Sequence, residues 1–206
     1  FEEESKVNII KYLGFAAILG VVVLLYSGSD IFNGSQLQRL KFNAPCQRYM
    51  EDTGYQVCNG FIAYHNGGLF GTGLGNSSQK YLYLPEAHTD FIFPIIVEEL
   101  GLIIGALLLL GYFYMLYRIL KLAKQADLLR NAIICYGTFI YLLLHLVINL
   151  MGTLALIPLT GVPVPFLSYG GSFNMNVILM YFIVLRVSIE NNQNKEKRAI
   201  ANMAKV

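Results

Sequence analysis

Only two charged side chains, Glu98 and Glu99, interrupt the apolar run from Phe91 to Tyr117. A helix needs roughly 20 such residues to cross the hydrocarbon core of a bilayer, so this run is long enough to span it with a tilt. In lipid every backbone N–H and C=O must be bonded within the protein, which leaves helices or closed barrels as spanning structures. Three more runs share this character: Val7 to Tyr26, Ala132 to Met151, and Phe173 to Ile189. The first contains Lys11, whose long stem can carry its charge to the interface. With 55% hydrophobic and 14% charged residues among 206, and a mean hydropathy of +0.52, the composition excludes a soluble globular domain. The expected fold class is all-α: a polytopic transmembrane helical bundle with four spans.

The basic residues orient these spans. If both termini and the loop after Tyr117 share one side, that side holds Lys6, Lys11, Arg118, Lys121, Lys124, Arg130, Arg186, Lys195, Lys197, Arg198 and Lys205. The other side holds only Arg39, Lys41, Arg48 and Lys80, over two longer loops. By the positive-inside rule the sparse side is extracytoplasmic. The chain then reads as a single integral membrane domain over 1–206, with spans at 7–26, 91–117, 132–151 and 173–189. A large extracytoplasmic loop covers 27–90, a cytoplasmic loop 118–131, an extracytoplasmic or re-entrant loop 152–172, and a cytoplasmic tail 190–206. A net charge of +2 gives no reason to expect nucleic acid as a partner. The opening FEEESKVNII has neither an initiator methionine nor a signal-peptide pattern, so a piece of a longer protein is expected.

Both outer loops carry signals of their own. In the first, Val57, Phe61 and Tyr64 fall at helical spacing within Gln56 to Tyr64, and Gly67 and Gly68 could end such a helix. It would lie on the membrane surface or against the spans; ordinary loop packing is the other reading. The three cysteines are Cys46, Cys58 and Cys135, with no metal-ligand spacing. Cys46 and Cys58 share the outer loop and could pair there or remain thiols. The second outer loop, LIPLTGVPVPFLSYGGS, places Pro158, Pro163 and Pro165 close together before Gly170 and Gly171. Such backbone cannot form a regular helix, and at membrane depth it is tolerated where it is buried or lines a wet cavity. A re-entrant loop closing over Asp90 would satisfy that.

The polar stretch from Gly71 into the second long run, GTGLGNSSQKYLYLPEAHTDFIFPIIVEE, brings Lys80, Glu86, His88 and Asp90 to the mouth of that span. Ionisable groups near hydrocarbon are costly and mark functional sites by default. Asp90 could cap the helix start by accepting backbone N–H bonds, or act as a general base for an acceptor hydroxyl. Glu86 lies four residues earlier, so a helix from Pro85 would put both carboxylates on one face, where they could hold a divalent cation or divide acid and base roles. His88 would point elsewhere on such a helix. Lys80, with Arg39 and Arg48, supplies positive charge that could hold a phosphate or pyrophosphate near the amides of Gly71, Gly73 and Gly75. GTGLG itself is no nucleotide motif, lacking a P-loop ending and a strand-helix setting. Glu98 and Glu99 are adjacent and so point in different directions: one is expected to pair with a polar group on a neighbouring helix and the other to sit near the interface, a structural role being favoured over catalysis. His145 and Asn149, one turn apart, are candidates for interhelical hydrogen bonds.

GGLFGTGLGNSSQKYLYLPEAHTDFIFPIIVEELG, followed later by IPLTGVPVPFLSYGGS, resembles the SEDS family (shape, elongation, division and sporulation) of FtsW, RodA and SpoVE proteins, and more the FtsW/SpoVE branch than RodA. The resemblance runs from Val7 onward. It implies that the four spans correspond to helices seven to ten of a ten-helix fold. Ala63 to Gly68, AYHNGG, departs from the expected Ala-Ile-Gly-x-Gly-Gly at Tyr64 and His65.

The function implied is a peptidoglycan glycosyltransferase that polymerises lipid II, the undecaprenyl-pyrophosphate-linked disaccharide-pentapeptide. It would work at the outer face of the bacterial cytoplasmic membrane, in division at the septum or in sporulation, with a class B penicillin-binding protein and other divisome proteins. The family's essential aspartate, in the motif His-Thr-Asp-Phe, falls on Asp90. Lys80, Glu86, His88, Arg48, Ser168, Tyr169, Gly170 and Gly171 are the candidate substrate contacts. Glu86 and Asp90 are the candidate ligands of an Mg2+ or Mn2+ ion, and no organic cofactor is expected. A lipid II flippase and a non-enzymatic scaffold recruiting the penicillin-binding protein are the competing functions, the latter through Gly101, Gly105, Ala106 and Gly111 as a small-residue contact face.

Overall fold

The computed structural model describes residues 41–85 and 87–203. The expected first span at 7–26, Arg39 and Glu86 lie outside the described residues. What is described is helical, without strands: α1 (Asp52–Gly67), α2 (Ser78–Leu82), α3 (Ile92–Lys124), α4 (Leu129–Thr153) and α5 (Gly171–Met203). α3, α4 and α5 are each long and apolar enough to cross a membrane, and they occupy the stretches expected for the second to fourth spans.

The amphipathic segment expected between the first two spans is longer than its apolar spacing indicates. α1 starts at Asp52, whose carboxylate complements the N-terminal end of the helix dipole, and stops at Gly68, which has a positive φ of 49°. A disulfide between Cys46 and Cys58 ties α1 to the short 3-10 turn Pro45–Arg48. Cys135 remains a buried free thiol on α4.

α3 is not one continuous helix. Gly101 has φ 87° and ψ 165°, values far from helical, and the helix resumes beyond it. A break inside an apolar helix frees backbone groups that lipid cannot satisfy, and here the segment after α1 takes them up. The amides of Leu102 and Ile103 donate to the carbonyls of Gly68 (3.0 Å) and Leu69 (3.3 Å). The carbonyls of Glu98 and Glu99 accept from the amides of Thr72 and Gly73, both at 2.9 Å. The two chains meet backbone to backbone: a Cβ on Gly101 would run into the Leu69 carbonyl oxygen and lie 2.6 Å from the Gly71 nitrogen. Gly101 therefore serves the break and not a helix contact face. Gly105 is covered by Val97 and Phe93 of the same helix, while Gly111 has open space beside it.

Two apolar clusters follow. Leu116 and Ile119 of α3, Leu142 and Leu146 of α4, and Val177 and Val184 of α5 form the larger. Val57, Leu84, Ala87, Phe91 and Ile95 form the smaller, under α1 and the start of α3. Asn131 at the start of α4 donates to Glu190 of α5 at 3.1 Å, and Arg198 pairs with Asp127 at 2.9 Å. α5 continues past the expected end of the fourth span at Ile189, its last turns carrying Lys195, Lys197 and Arg198.

Candidate active site at Asp90

Asp90 precedes the first turn of α3, and its residue is only 7% exposed. The N-cap of α3 is Phe91, whose side chain makes no cap, and Asp90 lies one residue before it. Its Oδ1 accepts from the Thr89 hydroxyl at 3.1 Å. Its backbone carbonyl accepts from Asn149 Nδ2 of α4 at 2.7 Å, and the same nitrogen donates to the carbonyl of Val162 at 2.8 Å. One amide thus fixes the aspartate backbone and the Pro-rich loop together.

That loop passes directly over the carboxylate. Gly161 has φ 68°, and a Cβ there would sit 3.7 Å from Asp90 Oδ2. Further on, the Tyr169 amide donates to the His88 carbonyl at 2.8 Å, closing the loop onto the segment before Asp90. Inside the loop the buried Ser168 hydroxyl accepts from the Val164 amide at 2.7 Å, and Asn174 of α5 donates to the Ser168 carbonyl at 2.8 Å. His145 Nδ1 lies 3.4 Å from the Pro163 carbonyl, and its ring packs between Tyr141 (4.3 Å) and Phe173 (5.1 Å). His145 and Asn149, expected to join helices, instead hold the loop backbone. Of the remaining loop candidates, Tyr169 is 77% exposed, and Gly170 and Gly171 lead into α5.

A second polar centre lies further along α3. Glu98 is 1% exposed and accepts from the hydroxyls of Ser77 and Ser78 (3.1 Å for Ser78), from Asn66 Nδ2 at 3.1 Å and from the Gln79 amide at 3.4 Å. Glu99 accepts from Lys80 Nζ at 3.3 Å. Both acids therefore organise the segment 66–80 against α3. The amides of Gly71 and Gly73, considered above for a phosphate, donate instead to the carbonyls of Gly67 (2.7 Å) and Glu99 (2.9 Å). Arg48 donates to Glu51 at 3.1 Å and to the Asn43 carbonyl at 3.0 and 3.1 Å, which anchors the turn before α1. The His88 side chain is exposed.

Sequence reasoning missed Thr89 and Gly161 beside the carboxylate, and Asn66, Ser77 and Ser78 around Glu98. The hydroxyl next to Asp90 was legible as part of the motif; the approach of Gly161 depends on a fold between distant segments. Tyr64, the departure noted in AYHNGG, lies with its ring 6.3 Å from Phe93. Burial pushes its phenol up to about 12, an effect that the nearby Thr153 side chain offsets only in part.

The arrangement can accept a proton: a carboxylate held at the end of a span, beside a glycine turn, with its backbone carbonyl fixed by Asn149. Among the described residues no group of three or more His, Cys, Asp or Glu side chains gathers that could hold a metal ion.

The probable peptidoglycan glycosyltransferase FtsW of Coxiella burnetii is 41% identical over 178 residues, which is 82% of this chain and 48% of that protein. The protein of the same name from Enterococcus hirae is 49% identical over 146 residues, 70% of this chain and 36% of its own. The chain spans about half the length of the curated relatives it matches. A solved chain described under structural coordination of polymerization and crosslinking by a peptidoglycan synthase complex shares the fold, with a TM-score of 0.62 and 24% identity over 88% of this chain and 49% of its own. The model of the FtsW/RodA/SpoVE cell cycle proteins matches residues 5–193. On that match, and on relatives alike over most of its length, this chain belongs to the FtsW/RodA/SpoVE family of cell cycle proteins.

Proposed function

We propose that this chain carries the catalytic base of a peptidoglycan glycosyltransferase that polymerises lipid II at the outer face of the bacterial cytoplasmic membrane. The observation that carries the reading is the Asp90 carboxylate, buried under the Gly161 turn while Asn149 holds its backbone. The name of the relatives, probable peptidoglycan glycosyltransferase FtsW, supports it, although this chain matches only about half of their length or less. In the reaction an acceptor sugar hydroxyl attacks the anomeric carbon of the donor. The proton passes to Asp90, the bond from that carbon to the lipid pyrophosphate breaks, and undecaprenyl pyrophosphate leaves.

The remaining residues fall into place around that step. Thr89 orients the carboxylate. Lys80, set by Glu99, contributes positive charge toward the departing pyrophosphate. Ser168, Tyr169, Gly170 and Gly171 shape the wall that covers the acceptor. An Mg2+ or Mn2+ ion would take at most Asp90 and Glu86 from this chain and the rest of its shell from pyrophosphate and water, a pattern usual for Mg2+ at phosphates. Such an ion would neutralise charge on the leaving group. A class B penicillin-binding protein, other divisome proteins and a place at the septum complete the proposal.

Transport of lipid II is the rival reading, and a broken helix such as α3 occurs in transporters. Against it, four of the backbone groups beside Gly101 are already bonded to residues 68–73. The test uses the full-length protein with lipid II, a divalent cation and a class B penicillin-binding partner, and reads glycan polymer on a gel. Asp90→Asn in a folded protein is expected to lower the rate by about 10² to 10⁴-fold. Full activity in that variant would remove Asp90 as the base, and a wild type that makes no polymer would bring transport or scaffolding forward.

A further inference from the structure

The opposite end of α3, beyond the break at Gly101, holds a cleft that shares no lining residue with the Asp90 site. Its volume is about 730 Å³, and it lies between the last turns of α3 and the middle of α5. Its base is apolar, formed by Ile119, Leu122 and Val184. Arg118, Lys121 and Lys195 surround it, with Tyr117 and Tyr181, and among the described residues no acidic side chain lines it. Arg118 is held at the wall by Tyr114, donating to its hydroxyl at 3.1 Å with the guanidinium 5.9 Å from the ring. Asn191 also lines the cleft, 2% exposed, and neither its Nδ2 nor its Oδ1 has a hydrogen-bond partner among the described residues. A buried amide with both ends unpaired is costly, and polar groups in that state are filled from outside.

We propose that this cleft binds an anionic phospholipid of the cytoplasmic leaflet, its headgroup phosphate among Arg118, Lys121 and Lys195 and the start of an acyl chain on the apolar base. The chemistry selects this occupant. Three cations without a facing acid call for a phosphate, the phenols suit the interface between headgroups and hydrocarbon, and the cleft opens between two helices that cross the membrane. The Asn191 amide can donate to a phosphate or glycerol oxygen and accept from a headgroup hydroxyl. The volume lies within the range of about 300–1,000 Å³ usual for small-molecule sites.

The experiment is a titration of delipidated full-length protein, read by native mass spectrometry, with phosphatidylglycerol, phosphatidylcholine and inorganic phosphate as separate probes. Phosphatidylglycerol should bind in preference to phosphatidylcholine, and millimolar phosphate should not displace it. Each basic residue near an anionic headgroup is worth roughly fivefold in affinity, so the triple variant Arg118→Gln, Lys121→Gln, Lys195→Gln should lose about 100-fold. Asn191→Leu should weaken binding by a further factor without altering the charge. Arg186→Gln, on α5 but outside the cleft, should bind as the wild type does. The proposal is overturned if the triple variant, shown to melt like the wild type, keeps its affinity. Equal binding of phosphatidylcholine, displacement by phosphate, or a loss in Arg186→Gln matching a cleft variant would each overturn it as well.

Discussion

Replacing Gly101 by alanine separates two descriptions of α3 by sign. In a continuous helix the change would remove a glycine from a helix interior and stabilise the protein by about 0.5–1 kcal/mol. With φ 87° and ψ 165° the alanine instead enters a region held almost only by glycine, at a strain of order 1–3 kcal/mol. Its Cβ would also strike the Leu69 carbonyl oxygen and lie 2.6 Å from the Gly71 nitrogen, both backbone atoms that no rotamer change can move. Making room must loosen some of the four hydrogen bonds between 68–73 and the break. At about 1 kcal/mol each, losing two brings the total destabilisation to roughly 3–5 kcal/mol. For a chain of this size 1 kcal/mol moves the melting temperature by about 2–4 °C, so 3 kcal/mol is a fall of roughly 6–12 °C. Cys135 is fully buried, and with Cys46 and Cys58 bonded it is the chain's free thiol, so its labelling by a fluorescent maleimide during heating in detergent reports unfolding. Gly68→Ala is the control: its φ is 49°, yet a Cβ there meets nothing within 4 Å, so strain acts alone. A melting temperature that rises in Gly101→Ala would refute the break and the loop contacts built on it.

Other perturbations read other parts of the structure. Glu98→Ala strands the Ser77, Ser78, Asn66 and Gln79 donors and is expected to cost at least about 3 kcal/mol in the same melt, with Glu98→Gln near half of that. Cys58→Ser opens a disulfide across a sequence separation of 12 and should lose about 3 kcal/mol, while reductant should lower the wild type to the variant's level and leave the variant unmoved. Asn149→Leu removes the two hydrogen bonds by which one amide joins the Pro-rich loop at Val162 to the Asp90 backbone, about 2–3 kcal/mol of local closure, and should speed chymotryptic cleavage after the exposed Phe166 by about 30- to 150-fold. An unchanged cleavage rate would mean that Asn149 does not hold the loop.

Sequence reading reached the parts of the site that are local. The three described spans are legible because length and hydropathy are properties of a single segment, and Asp90 stands out as a candidate because its neighbours form a continuous motif. The break at Gly101 was not, since a glycine in an apolar run looks the same whether it meets another helix or a loop thirty residues upstream in the chain. What distinguishes the cases is the approach of Gly67 and Gly71, where a Cβ would also run into α3 backbone. The amides of Gly71 and Gly73 were misjudged for the same reason: their partners lie across the break. The cysteines stood open between pairing and separate thiols because only the turn Pro45–Arg48 brings them together. Asn149 and His145 were visible as polar groups on an apolar helix, but the carbonyls they bind belong to a loop whose path no periodicity encodes.

The order of the partners at the break bears on how the protein is made. Residues 66–80 precede α3 in the chain, so they leave the ribosome before the helix they cap is complete. On the orientation inferred from the basic residues they also reach the outer face first. When the apolar segment enters the bilayer, the carbonyls of Gly68 and Leu69 and the amides of Thr72 and Gly73 are already on the side where Gly101 arrives. Bent insertion then needs no straight intermediate that later refolds in lipid, where each unbonded backbone group would cost several kcal/mol. Placing the cap after the helix, by circular permutation, would reverse that order and leave the break bare during insertion, even though every contact in the finished fold stayed the same.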